Sequence, residues 1–160
     1  MKALVVYDSM FGNTEQVAQE IGQALLSEGH EVQTLRVTEA SSQQATEVDV
    51  LLVGSPTRAF RPTPAITQFL KEIPDNGLQG IKVGAFDTRV SLEEVNSKVL
   101  TFFVKLFGYA AEPMAKRLQQ KGGAQALSPE GFIVTGKEGP LREGELERAA
   151  GWAKGIARAA

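Results

Sequence analysis

Asp8-Ser9-Met10-Phe11-Gly12-Asn13-Thr14 lies between an apolar run and a segment of helical periodicity, and its reading decides the fold. Before it, Ala3-Leu4-Val5-Val6-Tyr7 is rich in β-branched and aromatic residues, the pattern of a strand buried on both faces. After it, Val17, Ile21 and Leu25 recur at four-residue spacing, which predicts a helix with one apolar face. Gly12 permits a tight turn, and Asn13 or Thr14 is the expected N-cap. A strand therefore ends where a helix begins. The free N–H groups of that first turn, with the positive end of the helix dipole, make an anion site that needs no Lys or Arg. None stands between Asp8 and Thr14. The hydroxyls of Ser9 and Thr14 and the amide of Asn13 add donors suited to a phosphate monoester. An ordinary capped strand-to-helix turn uses the same residues, so the stretch alone leaves both readings open.

Outward from this turn the chain alternates strand-like and helix-like segments, without repeats, low-complexity tracts or a linker. Glu31 to Val37 reads as a mixed, edge-type strand, and Thr38 to Glu47 as a short helix or loop. Val48 to Val53 is nearly continuous in apolar residues, as a central strand would be, and ends at Gly54-Ser55-Pro56. Thr63 is the expected cap of a helix with Pro64 at its first position and Ile66, Phe69, Leu70 and Ile73 on its buried stripe. A strand is predicted over Ile81 to Phe86, followed by a loop Asp87 to Val90. Ser91 and Glu94 have capping-box spacing ahead of a helix closed by Gly108. Ala110 to Ala115 reads as a short strand interrupted by Pro113, and Lys116 to Ser128 as irregular. Gly131 to Thr135 is the last strand, and Glu143 to Ala160 the last helix, with Leu146, Ala149, Ala153 and Ile156 toward the core. The pattern predicts an α/β fold: one domain over residues 1–160, with a five-stranded parallel sheet covered on both faces.

Composition removes several classes of function. At 160 residues the chain is long enough to bury roughly 70% of its unfolded surface without staples. It has no Cys, hence no disulfide, thiolate metal site or thiol nucleophile. Its single His, His30, falls in a helix-to-strand turn and is expected to be solvated there. Protein-based acid–base or covalent catalysis is thus poorly supplied, no catalytic or metal-ligating set stands out, and a cofactor would have to carry any chemistry. Seventeen basic against 19 acidic residues leave a net charge of only −2, which points to neither nucleic acid nor an anionic membrane. No apolar run reaches membrane-spanning length, and a first strand starting at Lys2 leaves no room for a signal peptide. A cytoplasmic protein is the expectation. Gly131 to Lys137 spells G-x-x-x-x-G-K, but Glu138 stands where Ser or Thr would ligate Mg²⁺, and the intervening residues are strand-like. A phospho-acceptor receiver domain would need an aspartate after the third strand, where Gly54 and Ser55 stand.

In a doubly wound sheet ligands bind outside the carboxyl ends of the strands, so Ser9 to Thr14, Ser55 to Thr63 and Asp87 to Ser91 are the loops to compare. Val5-Val6-Tyr7-Asp8-Ser9-Met10-Phe11-Gly12-Asn13-Thr14-Glu15, Val50-Leu51-Leu52-Val53-Gly54-Ser55-Pro56-Thr57-Arg58 and Val83-Gly84-Ala85-Phe86-Asp87-Thr88-Arg89 together resemble the flavodoxin family over nearly the whole chain. The resemblance implies a flavodoxin-like fold with strand order 2-1-3-4-5 and FMN as cofactor. It implies that Ser9, Gly12, Asn13 and Thr14 grip the phosphate and that Thr57 closes on it. Met10 and Phe11 occupy positions that often carry hydroxyls, and Phe11 packs over the loop or touches the flavin. Pro56, Thr57, Arg58, Ala59 and Phe60 on one side and Asp87, Thr88, Arg89 and Val90 on the other would flank the isoalloxazine ring, and Phe60 either stacks on it or packs under its own loop.

Arg58 and Ala59 stand where electron-carrier flavodoxins usually have Trp and Gly, and the Pro-Thr-Arg run resembles the quinone-reductase branch. That branch's Gly-rich third loop is missing. Arg58, Arg61 and Arg89 either stand beside the ring, where they would favour the reduced, anionic flavin, or form surface ion pairs with residues such as Glu93 or Asp87. The resemblance implies an FMN-binding redox protein, either an electron carrier or a small reductase taking hydride from NAD(P)H. Its partners would be FMN, NAD(P)H or a redox protein. A binding module that has lost the flavin is the alternative.

Overall fold

A computed structural model of the chain describes residues 1–58, 60–90, 98 and 108–158. In chain order the elements are β1 (Lys2–Tyr7), α1 (Asn13–Ser27), β2 (Glu31–Arg36), α2 (Ser42–Ala45), β3 (Val50–Pro56), α3 (Pro64–Glu72), β4 (Lys82–Val90), α4 (Ala111–Gln120), β5 (Ala124–Gln125), β6 (Glu130–Val134) and α5 (Glu145–Lys154). Every strand pairing among the described residues is parallel, and the order β2-β1-β3-β4-β5 is the one expected. Because β1 is joined to β2 on one side and β3 on the other, the order reverses beside β1, which opens a crevice at the carboxyl edge.

The period-two alternation of the strands decides which helix covers which face. Leu4, Val6, Leu51 and Val53 pack with Ile66, Phe69 and Leu70 of α3 and Met114 and Leu118 of α4. Val5 and Leu52 pack on the opposite face with Val17, Ile21 and Leu25 of α1 and Ala149 and Ala153 of α5. Leu51, Leu52 and Val53 are wholly buried, each contributing about 1.5–3 kcal/mol of transfer free energy, so β3 lies at the centre as its unbroken apolar run requires. Thr63 accepts a hydrogen bond from the N–H of Ile66, with Pro64 following as the first helical residue, and α3 buries its expected stripe.

Several elements differ from the sequence reading. The fifth sheet position is split, giving six strands: β5 pairs with Lys82 and Val83, and β6 with Phe86 to Val90. Between them stands Pro129, which has no N–H to give a ladder. Asp87, Thr88 and Arg89 are not loop residues, since pairing with β6 carries β4 through to Val90. Their polarity reflects what they bind, not exposure. Residues 111–120 form a helix where a strand and an irregular stretch were expected; Pro113 is accommodated in its first turn, and Ala111, Met114, Ala115 and Leu118 make a helical i, i+3, i+4, i+7 stripe. Helix α1 starts one residue earlier than expected, with Gly12 rather than Asn13 or Thr14 as its cap. Leu146 is exposed, while Ala149, Ala153 and Ile156 face the core as expected. His30 is half-buried in its turn. The helix expected from Ser91 falls outside the described residues, although Gly108, its expected end, has a φ of +74°.

Candidate functional site

The site starts from the turn after β1. The Asp8 N–H donates to Gly54 O at 3.1 Å, continuing the β1–β3 ladder by one residue, and the Ser9 N–H donates to its neighbour's carboxylate, Asp8 Oδ1, at 2.9 Å. Gly12 has a φ of +90°, and a Cβ there would meet nothing within 4 Å. Backbone conformation, not space, therefore calls for glycine. Ser9 Oγ accepts from the N–H groups of Gly12 (3.1 Å) and Glu15 (3.3 Å), so its own proton remains to be donated elsewhere.

Arg36, at the end of β2, holds this turn from outside. Its Nη1 donates to Ser9 O at 3.1 Å and lies 3.6 Å from Asp8 Oδ1, while Nη2 bonds Glu15 Oε2 at 3.2 Å. Its guanidinium stands 5.3 Å from the centre of the Tyr7 ring, and the Tyr7 hydroxyl donates to the same Glu15 carboxylate at 2.6 Å. Burial, then that hydrogen bond and the charge of Glu15, push the Tyr7 phenol up to about 12. Tyr7 is thus a fixed donor at ordinary pH, and the loop is tied to β1, β2 and α1 together.

Thr88 links the three strand ends. Its hydroxyl is 2.8 Å from that of Thr14, and its carbonyl accepts the Thr57 N–H at 3.0 Å. Thr57 Oγ1 in turn accepts the N–H of Ala110 at 3.1 Å. In the second loop Arg58 and Arg61 exchange backbone hydrogen bonds of 2.8 and 2.9 Å around a tight turn, in which Phe60 has a φ of +68°. Glycine would hold that conformation without a Cβ penalty.

Below the edge lies a buried ion pair. Asp87 has no exposed surface, and its carboxylate takes Arg89 Nε at 2.7 Å, Arg89 Nη2 at 2.6 Å and the Ala111 N–H at 2.9 Å. Burial pushes the Asp87 carboxyl above its ordinary value, even against the hydrogen bond and charge of Arg89. The same guanidinium lies 3.6 Å from the centre of the Tyr109 ring, and a Cβ at Gly131 would collide with it. The place of Arg89 is therefore fixed from three sides.

These elements enclose a cavity of about 220 Å³. Ser9, Met10, Phe11, Asn13 and Thr14 line one side; Pro56, Thr57 and Arg58 a second; Thr88, Arg89 and Val90 a third. Of the remaining expected residues, Gly12 shapes the turn, Asp87 lies beneath the wall, and Phe60 stands in the second loop outside it. Ala59 lies outside the described residues. Two wall residues escaped the sequence reading, Val134 and Lys137. Lys137 belongs to the G-x-x-x-x-G-K string, of which Gly131 to Val134 lie in β6. The signal for it was topological, because the turn after the last strand also opens at the carboxyl edge.

A parallel sheet with this order and a cavity at its switch point defines a doubly wound α/β fold. The sequence model of flavodoxin matches residues 5–152, and the chain belongs to the flavodoxin family. Members of that family bind FMN. Among individual proteins, a flavodoxin of Aquifex aeolicus is 42% identical over 57 residues, which are 35% of this chain and 31% of that protein. An uncharacterized protein of Methanocaldococcus jannaschii is 40% identical over 73 residues, or 43% of this chain and 19% of its own length. The matches therefore span a third or less of these curated relatives. The fold is similar to oxidised flavodoxin 1 from Bacillus cereus (TM-score 0.79, 18% identity, 99% of this chain and 98% of that one). It is also similar to part of rubredoxin oxygen:oxidoreductase from Desulfovibrio gigas (TM-score 0.75, 24% identity, 99% of this chain and 35% of that one). Among the described residues no helix is long and apolar enough to cross a membrane.

Proposed function

We propose that the carboxyl-edge cavity binds FMN through its phosphate and that the chain serves as an electron-transfer protein. The observation that carries this reading is the wall itself: it joins hydroxyl and amide donors at the start of α1 to an apolar rim, and contains no carboxylate among the described residues. A phosphate monoester fits the first part and an aromatic ring the second. Ser9 and Thr14 would donate to phosphate oxygens, Asn13 would present its backbone N–H, and Met10, Phe11, Pro56 and Val90 would shield the ring from water. FMN supplies one- or two-electron chemistry when bound. The protein's part is to hold it, orient it and set the charge around it.

The test is titration of the purified chain with FMN and with riboflavin, followed by absorption and fluorescence quenching. FMN is expected to bind more tightly, and Thr14→Val to weaken FMN about tenfold or more while leaving riboflavin nearly unchanged, since a hydrogen bond to a charged acceptor contributes about 1.5–3 kcal/mol. Equal affinities for the two flavins would defeat the reading. A noncatalytic module that has lost the flavin would leave the spectrum of added FMN unaltered.

A small reductase taking hydride from NAD(P)H is the second reading, favoured by Arg58. It is exposed, lines the cavity, and makes no ion pair among the described residues. A free guanidinium there would attract a dinucleotide phosphate. Anaerobic bleaching of bound FMN by NADPH, slowed in Arg58→Gln, is the result this reading expects. No bleaching leaves electron carriage.

A further inference from the structure

Lys137 stands on a hairpin after β6 that is built against the start of α1. The Thr135 N–H donates to Pro140 O at 2.8 Å, the Gly139 N–H to Gly136 O at 3.1 Å, and the Arg142 N–H to Ile133 O at 2.8 Å, so the turn is closed by its own backbone. It is then docked: Asn13 Nδ2 donates to Glu138 O at 3.0 Å. Gly139 has a φ of +99°, and a Cβ there would stand 2.5 Å from Asn13 Oδ1, so only glycine allows this approach. The docking sets Lys137, the residue before Glu138, in the cavity wall with Ser9, Asn13 and Thr14. Its side chain is exposed and forms no ion pair among the described residues. A cation beside the N-terminus of a helix faces the positive end of the dipole, an arrangement that disfavours itself unless an anion lies between the two.

We infer that Lys137 is a phosphate-binding residue of this cavity: its ammonium and the N-terminus of α1 hold the phosphate monoester from opposite sides, and this sets the preference for phosphorylated over dephosphorylated flavin. The inference rests on the proposal that the cavity takes FMN. The Asp8–Thr14 turn gives directional donors without net charge. Lys137 adds the charge from a segment more than a hundred residues away, as a mobile point cation that needs no fixed geometry.

The experiment is a fluorescence-quenching titration of wild type, Lys137→Gln and Lys137→Arg with FMN and with riboflavin, at low and at high salt. Lys137→Gln is expected to weaken FMN about three- to tenfold at low salt, to flatten the salt dependence of FMN binding and to leave riboflavin unchanged, whereas Lys137→Arg keeps most of the preference. An FMN affinity within about twofold of wild type at low salt would overturn the inference while leaving the FMN reading intact. So would an equal loss for FMN and riboflavin, which is the mark of a displaced hairpin. Wild type that prefers FMN no more than riboflavin overturns both.

Discussion

Arg89→Met is expected to lower the free energy of unfolding by about 3–5 kcal/mol, the cost of removing one partner from a buried ion pair. Asp87 is wholly enclosed, and two of its three hydrogen-bond donors belong to Arg89. Without them the Ala111 N–H alone would face a dehydrated charge. A surface pair would contribute about 1 kcal/mol at most, and the enclosure of Asp87 decides for the larger figure. The pH dependence follows from the direction of the Asp87 shift. Its folded-state pKa lies above the ordinary 3.8, so the folded state binds the proton more tightly; the stability this gives is full below the unfolded value and is lost as the pH rises through the folded one. Taking away the guanidinium raises that pKa further. Urea unfolding should therefore show a deficit that narrows as the pH is lowered toward the raised pKa of Asp87, and Asp87→Asn in the same chain should recover part of it. A loss under about 1 kcal/mol would show that water reaches the carboxylate. The pair also bears on the flavin: the carboxylate of Asp87 offsets the charge of Arg89, and Arg61 is not part of the cavity wall. Of Arg58, Arg61 and Arg89, Arg58 alone lines the cavity without an ion pair among the described residues.

Glu145→Gln is expected to cost about 2–3 kcal/mol, and its effect on acid unfolding has the opposite sign. Glu145 is 3% exposed at the first residue of α5; it accepts the Ile133 N–H at 2.6 Å and pairs with Arg148 at 2.7 and 3.0 Å, with Arg142 at 3.8 Å. Arg148 also reaches Glu130 at 3.0 Å, donates to Gly131 O and lies 4.6 Å over the Phe132 ring, so this group fastens α5 to β6. Burial raises the Glu145 carboxyl, but the hydrogen bonds from Arg148 and Ile133 and the charges of both arginines outweigh it and hold the group below its ordinary value. A depressed carboxylate stabilises the fold above its unfolded pKa, and that contribution is lost as the pH falls through the folded one. The expected figure is below that for Arg89 because Arg148 is partly exposed and would be rehydrated, so the loss approaches that of the charged hydrogen bonds alone. Denaturant midpoints should separate the two chains at neutral pH and draw together as the pH falls below the ordinary carboxylate range. A constant separation down to acid pH would assign the cost to packing.

How far the sequence could be read depended on whether a residue's partners were local. The Asp8–Thr14 turn, the runs Ala3–Tyr7 and Val50–Val53, and the capped start of α3 were legible because composition, period and cap lie within a few residues of one another. Asp87 and Arg89 read as loop because polarity in sequence does not distinguish water from a buried partner, and the strand that pairs with them comes over forty residues later. Pro113 suggested a broken strand, although the first turn of a helix tolerates it. Arg36 and Lys137 carried no local signal at all. Arg36 reaches the Asp8–Thr14 turn, and Lys137 the cavity wall beside it, only because the winding of the sheet brings each strand's carboxyl end to the same edge.

The contact of Asn13 with Glu138 spans 125 residues, and that of Thr14 with Thr88 spans 74. Contacts at such separation close large loops, and loop-closure entropy places them late in assembly. The cavity is thus complete only when the first and last strands have both joined the sheet. A ligand that selects the finished cavity would select the finished chain as well, drawing population out of every partly folded species in which the C-terminal hairpin has yet to arrive.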